Sequence, residues 1–251
     1  MPTEEPSITE YPWEDATMRR LAVGGIIGTL AAAFVIMFGW KALPCRLNGS
    51  AMYAFNILLP PTATFLGMWL ATLREPPRHV ISLVFRNDCT LSVYARVLLA
   101  LFLAAVLWGV TVGTNILVVP ILLALGCNPH AIVPQGLIEY MVHAEFPPWL
   151  HGVALLSSLV LAPFVEELLF RKALPDSLAS SGMSLLGAAS VSSLVFAMLH
   201  FIPWLTPGLF VFGFLQFFIA RKFGVLLSMA THSLYNLTTL AIIFAGRHYA
   251  P

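Results

Sequence analysis

Long apolar stretches recur along the chain, and short polar or proline-containing connections separate them. A helix needs roughly 20 mostly apolar residues to cross a bilayer. Seven stretches approach or exceed that length, so the pattern predicts an all-α, polytopic transmembrane helical bundle of about seven spans. An eighth helix within 74–96 or 126–150 is the alternative. The predicted spans are Leu21 to Trp40, Ala51 to Leu73 (interrupted by Pro60 and Pro61), one within Tyr94 to Leu125, His151 to about Leu174, about Ser184 to Ile202, Leu205 to Ala220 and Val225 to Gly246.

The segments outside these spans indicate a simple domain organisation. Five acidic residues lie within the first 18 positions, whereas a secretory signal begins with basic residues. We therefore interpret 1–20 as a short polar N-terminal tail and 21–251 as one integral membrane domain. The long connection 126–150 contains four prolines, and its middle, Gln135 to Phe146, could form a helix that lies in the membrane interface.

Composition supports a membrane protein and excludes several other classes. The chain of 251 residues is 59% hydrophobic and 10% charged, whereas about a quarter of the residues of soluble domains are charged. A net charge of +1 offers no basic surface for nucleic acid. The three cysteines form no C-x-x-C pair, so they predict neither a cysteine zinc site nor a disulfide framework.

Basic residues flank the predicted spans unevenly, and cytoplasmic loops of membrane proteins are enriched in Lys and Arg. With the N-terminus in the cytoplasm, nine basic residues fall on that side and three on the other. This bias predicts a cytoplasmic N-terminus and a C-terminus on the opposite face. The nine are Arg19, Arg20, Arg74, Arg78, Arg86, Arg96, Lys172, Arg221 and Lys222, and the three are Lys41, Arg46 and Arg247.

Ionisable residues within spans are costly in lipid and therefore mark candidate functional sites. The fourth span contains the adjacent acids Glu166 and Glu167, followed by Arg171. On a helix, Glu167 and Arg171 share one face at i,i+4 spacing and can form an ion pair. Glu166 points about 100° away from Glu167. One acid is thus predicted to be neutralised, and the other is left for chemistry.

Two further spans carry polar residues at the same four-residue spacing. The fifth ends with Phe196 and His200, and the seventh contains His232 and Asn236. Any one of these residues alone could be an interhelical hydrogen-bonding group. Their joint occurrence with Glu166, at roughly similar depths along the helices, favours one shared site. We interpret Phe196 as a packing residue beside that site.

The three motifs resemble those of the CPBP intramembrane proteases, the family that includes the type II CaaX prenyl endopeptidases and the bacteriocin-processing Abi proteins. The resemblance covers about 150–246, the motif-bearing core, and departs at Lys172, where the family usually has Gly. It implies a membrane-embedded endopeptidase. The family motifs EExxxR, FxxxH and HxxxN are matched here by Glu166, Glu167 and Arg171, by Phe196 and His200, and by His232 and Asn236.

These residues are compatible with two mechanisms of peptide hydrolysis, and the family has been described in both ways. In the first, Glu166 is the general base and shares the water with His200, while His232 and Asn236 polarise the carbonyl or stabilise the oxyanion. In the second, Glu166, His200 and His232 bind a zinc ion that holds the water. We favour the metal-free form. Glu167, Arg171 and Phe196 are expected to support the site.

The predicted function is intramembrane hydrolysis of a peptide bond near the membrane surface. The expected partners are the lipid bilayer and a CaaX-type, lipidated or membrane-associated peptide or protein, with no nucleic acid. The resemblance implies a bacterial plasma membrane, or the endoplasmic reticulum in a eukaryote. Two alternatives are a non-enzymatic scaffold or immunity protein of the same fold, which the intact motifs disfavour, and a transporter with a buried proton relay. The sequence shows no inverted repeat that would favour a transporter.

Overall fold

The structure, a computed structural model, describes residues 12–39, 49–85, 90–126 and 147–247. Within these ranges the regular structure is entirely helical, which confirms the predicted all-α class. Each of the seven predicted spans corresponds to a helix. The helices are α1 (Pro12–Phe34, continued by a π-helical turn Val35–Gly39), α2 (Gly49–Ala71), α3 (Pro77–Val84), α4 (Val93–Ala124), α5 (Pro148–Ser180), α6 (Leu185–Met198), α7 (Thr206–Phe223) and α8 (Val225–Arg247).

Five of these helices, α1, α2, α4, α5 and α8, are long and apolar enough to cross a membrane. The remaining two predicted spans are shorter. At 1.5 Å per residue, the 14 residues of α6 extend about 21 Å and the 18 residues of α7 about 27 Å, against about 30 Å of hydrocarbon. The exact count of seven spans is therefore not confirmed. Both short helices lie against α5, the helix that carries the first motif.

The structure also differs from the sequence interpretation at two connections. Helix α1 begins at Pro12, and Thr17 and Met18 are buried, so the end of the predicted polar tail is part of the first helix. Residues 77–84 form α3, which has eight residues and is too short to span. The predicted interfacial helix from Gln135 to Phe146 lies outside the described residues.

Helices α1 and α2 form a closely packed antiparallel hairpin. A Cβ atom on Gly24 would lie 2.3 Å from the carbonyl oxygen of Gly67, and one on Gly28 would lie 2.1 Å from that of Ala63. Only glycine permits such an approach of two backbones, and small residues are the usual means of helix packing in lipid. At one end of the hairpin, Arg20 donates to Glu75 at 2.5 Å.

Helix α5 contains two π-helical turns, Ser157–Leu161 and Leu168–Ala173. Each turn ends two residues before a proline, Pro163 or Pro175. Proline lacks an N–H and clashes with the carbonyl four residues earlier, and a wider turn relieves that clash. Such π-bulges frequently occur at functional sites. Here the second turn contains Arg171, and the first turn provides backbone carbonyls to α8.

The core lies around α5, whereas the outer helices expose apolar side chains as lipid-facing surfaces do. Leu169 on α5 is fully buried and lies against Gly25 of α1. Ser192 of α6 donates to the carbonyl of Phe170 at 2.7 Å, which ties α6 to the same helix. Exposed side chains on α1, α2 and α4 include Ile27, Phe34, Trp69, Leu98, Phe102 and Leu117.

Candidate active site

Glu167 lies at the centre of a buried polar cluster. Its Oε1 accepts a hydrogen bond from Nδ1 of His232 at 2.8 Å, and its Oε2 accepts one from the Ser228 hydroxyl at 2.5 Å. Nε of Arg171 lies 3.5 Å from Oε2, and both side chains of this ion pair are fully buried. The predicted pairing of Glu167 with Arg171 is therefore present. The additional bonds to α8 show that this acid also orients His232.

Glu166 differs from its neighbour in both exposure and partners. Its side chain is 24% exposed, whereas that of Glu167 is fully buried. Its Oε2 lies 3.8 Å from Nε2 of His232, on the side of the ring opposite Glu167. Because Glu167 accepts from Nδ1, that nitrogen carries a proton, and Nε2 is the ring nitrogen that faces Glu166. A carboxylate oxygen and an imidazole nitrogen thus face each other across a short gap.

The ring of Phe196 contacts three side chains of the site. The guanidinium of Arg171 lies 4.4 Å from the centre of its ring, within cation–π range. The ring of His200 meets Phe196 edge-on at 4.6 Å, and that of His232 does so at 6.4 Å. Phe196 is fully buried, as expected for a packing residue. Both imidazole rings therefore lie beside the same aromatic ring of α6.

His200 lies two residues beyond the end of α6, and its ring is bonded to the backbone of that helix. Nδ1 lies 2.8 Å from the carbonyl oxygen of Phe196, the residue four positions earlier. This bond leaves Nε2 on the outer edge of the ring. The next residue, Phe201, has φ of 55°, a left-handed conformation that is costly for a residue with a Cβ atom. The chain therefore turns sharply immediately after the histidine.

Asn236 contacts the backbone of α5. Its Nδ2 donates to the carbonyl of Ser158 at 2.8 Å, and the Ser233 hydroxyl donates to the carbonyl of Leu159 at 2.7 Å. Both acceptors lie in the first π-helical turn, where the wider winding disturbs the regular carbonyl pairing of the helix. The HxxxN motif thereby joins α8 to α5 at the level of His232.

Sequence reasoning missed two residues of the polar cluster. The Ser228 hydroxyl donates to Glu167, and Nε2 of Gln216 donates to the Ser228 carbonyl at 3.3 Å. Both residues are fully buried. Two signals were available in the sequence: Ser228 precedes His232 by four residues on the same helix, and Gln216 is an isolated amide within apolar α7.

The predicted zinc ligands do not form a metal site in this arrangement. Among the residues that the structure describes, no group of three His, Cys, Asp or Glu side chains could hold a metal ion. Nδ1 of His232 is bonded to Glu167 and Nδ1 of His200 to a backbone carbonyl, so Nε2 is the nitrogen of each ring that remains for another partner. We derive no step through a zinc ion from this arrangement.

The fold and this cluster define a class: a helical integral membrane protein with acids and imidazoles grouped between its helices. Comparison with protein families then gives a specific match. Residues 147–238 match the model of the type II CAAX prenyl endopeptidases, Rce1-like. The matched segment contains all seven motif residues, so the family resemblance inferred from those motifs is confirmed over this part of the chain. Searches of curated proteins and of solved structures gave no match.

Proposed function

We propose that the protein is an intramembrane endopeptidase in which Glu166 activates the hydrolytic water. The observation that carries the proposal is the placement of His232 between two acids of different character. Glu167 is buried and bonded to three side chains, whereas Glu166 is partly accessible and faces the free imidazole nitrogen. The match to a prenyl endopeptidase family over the same residues supports peptide hydrolysis as the reaction.

The gap between Glu166 and His232 suits one water molecule. With Nε2 unprotonated, the two atoms, which lie 3.8 Å apart, can both accept from a water at normal hydrogen-bonding distance from each. We therefore keep Glu166 as the general base and assign His232, in place of His200, as its imidazole partner. Glu166 takes a proton as the water oxygen attacks the carbonyl carbon, and the C–N bond breaks as that proton passes to the leaving amine.

His200 and Asn236 are proposed to stabilise the oxyanion of the tetrahedral intermediate. Nδ1 of His200 donates to the Phe196 carbonyl, so its Nε2 donates to the oxyanion in the imidazolium form, and the amide of Asn236 retains a second N–H beyond the bond to Ser158. Donors that are already oriented stabilise developing negative charge without further reorganisation. Glu167 and Arg171 act as positioning residues, because they reach the reaction only through His232.

An apolar groove supports a lipid-anchored substrate. It has a volume of about 480 Å³ and runs between α4 and α8, with Ala100, Leu227 and Ala230 among its lining residues. Ser233, which follows His232 directly in the chain, also lines it. We propose that the prenyl chain of a CaaX-type substrate occupies this groove, while the adjoining peptide extends towards Glu166.

The test uses purified protein in nanodiscs and an internally quenched CaaX peptide, with and without a farnesyl group. We expect cleavage of the farnesylated peptide and at least a hundredfold loss of kcat in Glu166→Gln, as is typical for removal of a general base. Glu75→Gln, a change at a partly exposed acid paired with Arg20, is the matched control and should retain activity. Equal turnover by wild type and Glu166→Gln would refute the assignment of the base.

A second variant separates the substrate proposal from the catalytic one. Ala230→Trp should fill part of the groove and raise KM for the farnesylated peptide, with little effect on cleavage of an unprenylated membrane peptide. If the substitution affects both peptides equally, the prenyl chain does not occupy the groove. The activity of Glu166→Gln would still decide, independently, whether Glu166 is the general base.

A further inference from the structure

A second polar cavity lies at one end of the bundle, apart from the gap between Glu166 and His232. Its volume is about 130 Å³, many times the ~10–15 Å³ that admits one water molecule. Four of its lining residues are cationic: Arg171 and Lys172 of α5, and Arg221 and Lys222 of α7. Gly224 and Val225, at the start of α8, also line the cavity.

Positive charge exceeds negative charge around this cavity. Asp176 accepts from Lys172 at 2.8 Å and also pairs with Arg221, and Glu167 pairs with Arg171. Glu166 also acts electrostatically on Arg171, so three carboxylates face four cations. Lys222 has no carboxylate partner within the described residues, and its ammonium lies 5.4 Å from the ring of Phe223. The cavity is therefore suited to an anion.

Arg171 provides the strongest indication of a ligand. Its side chain is fully buried, yet none of its three nitrogens makes a hydrogen bond to the described residues. A guanidinium carries five N–H donors in a planar fork that matches the oxygens of phosphate. Leaving a buried donor unsatisfied typically costs ~1–3 kcal/mol. An anion in the cavity that Arg171 lines would satisfy donors that the protein itself leaves unused.

The first turn of α8 adds further donors. Helix α8 has 23 residues, and its first N–H groups have no intrahelical acceptors. The residue before the helix is Gly224, with φ of 88°, so no side chain caps these groups or blocks the approach to them. Helix N-termini bind phosphate through these N–H groups and the helix dipole. This turn and the buried guanidinium line the same cavity.

We propose that this cavity is a binding site for a phosphate group, supplied either by free phosphate or by the headgroup of an anionic lipid. Its place at an end of the bundle, where α7 ends and α8 begins, is the level at which lipid headgroups meet a membrane protein. The site is separate from the proposed peptidase reaction. It is connected to that reaction only because Arg171 pairs with Glu167, the acid that holds His232.

The test measures binding and does not depend on catalysis. Purified protein in phosphatidylcholine nanodiscs is titrated with inorganic phosphate at constant ionic strength, and the thermal unfolding midpoint is recorded. Native mass spectrometry then counts lipid adducts after incubation with phosphatidylcholine vesicles that contain a minor fraction of phosphatidic acid. Lys222→Gln is the test variant, because Lys222 is exposed and belongs to no ion pair in the described part of the chain. Arg74→Gln, at an exposed cation in the connection after α2, is the matched control.

We expect a saturable rise in the unfolding midpoint, a single bound phosphatidic acid, or both. Lys222→Gln should weaken the effect about tenfold, as loss of one charge-assisted hydrogen bond predicts, and Arg74→Gln should leave it unchanged. A response to inorganic phosphate alone identifies free phosphate as the source, and a phosphatidic acid adduct identifies the lipid headgroup. The proposal is overturned if neither probe acts beyond the salt control, or if the two variants respond alike.

Discussion

Replacement of Glu167 by glutamine tests the buried cluster most directly. Glutamine keeps the volume of the side chain and removes its charge, so Arg171 is left as an uncompensated cation that is fully buried. Breaking a buried ion pair by removing one partner typically costs ~3–5 kcal/mol. One of the two hydrogen bonds from Ser228 and His232 also loses its carboxylate acceptor. We therefore expect Glu167→Gln to lower the free energy of unfolding by about 3–5 kcal/mol.

The double variant Glu167→Gln with Arg171→Met identifies the source of that loss. Methionine fills much of the space of Arg171 without its charge, and replacing a whole buried pair by apolar groups is often neutral or stabilising. We expect the double variant to recover at least half of the stability lost by Glu167→Gln alone. With the single variant Arg171→Met added, the difference between the stability loss of the double variant and the sum of the two single losses measures the interaction between the two residues.

The assay is reversible unfolding in mixed micelles by increasing fractions of a denaturing detergent, followed by circular dichroism. Glu75→Gln is the control, because its partner Arg20 is half exposed and such pairs contribute about 1 kcal/mol or less. If Glu167→Gln unfolds within about 1 kcal/mol of wild type, the reasoning about buried charge is wrong. A double variant less stable than Glu167→Gln would refute it equally, because it would show that Arg171 stabilises the fold without its acid.

Four further predictions concern topology, packing, water and metal. Reporter fusions should place the N-terminus in the cytoplasm and the C-terminus on the opposite face, and finding both on one side would exclude seven spans. Gly67→Ala should destabilise the α1–α2 hairpin by about 1–3 kcal/mol, because its Cβ would lie 2.1 Å from the carbonyl oxygen of Gly24. Gly109→Ala, whose Cβ would contact nothing within 4 Å, should not destabilise the protein, and equal losses would disprove the contact. Cysteines introduced next to Glu166 and His232 should react with a water-soluble thiol reagent and be protected by a bound peptide; lack of reaction in the folded protein would indicate a dry structural network. Exhaustive chelation should leave activity intact, whereas activity that is lost and then restored by added zinc would support a metalloprotease.

The helices could be predicted from the sequence because a long apolar segment in lipid must satisfy its backbone hydrogen bonds internally, and a helix does so within one segment. Every predicted span corresponds to an observed helix, and the pairing of Glu167 with Arg171 follows from spacing along a single helix. The start of α1 was misplaced because acidic residues suggested a tail, although Thr17 and Met18 are buried in the helix bundle. Short α3 lies within 74–96, where an alternative eighth helix was predicted, but its eight residues are too few to span.

Contacts between helices were harder to predict than the helices themselves. The bond from Ser228 to Glu167 depends on the rotation of α8 against α5, which no spacing within one helix determines. The π-helical turns alter the direction of side chains along α5, so angles computed for a regular helix are only approximate there. Glu166 was expected to work with His200, whereas the measured contact is with His232.

The glycine contacts between α1 and α2 have a consequence for biosynthesis. Chains emerge from the ribosome N-terminus first, and the close contact of Gly24 and Gly28 with α2 needs only the first two helices. The hairpin can therefore assemble in the membrane before any motif residue has been synthesised. Leu169 on α5 later docks against Gly25 of that hairpin. The hairpin thus provides a preformed surface against which α5, the first helix that carries a motif, can pack after it inserts.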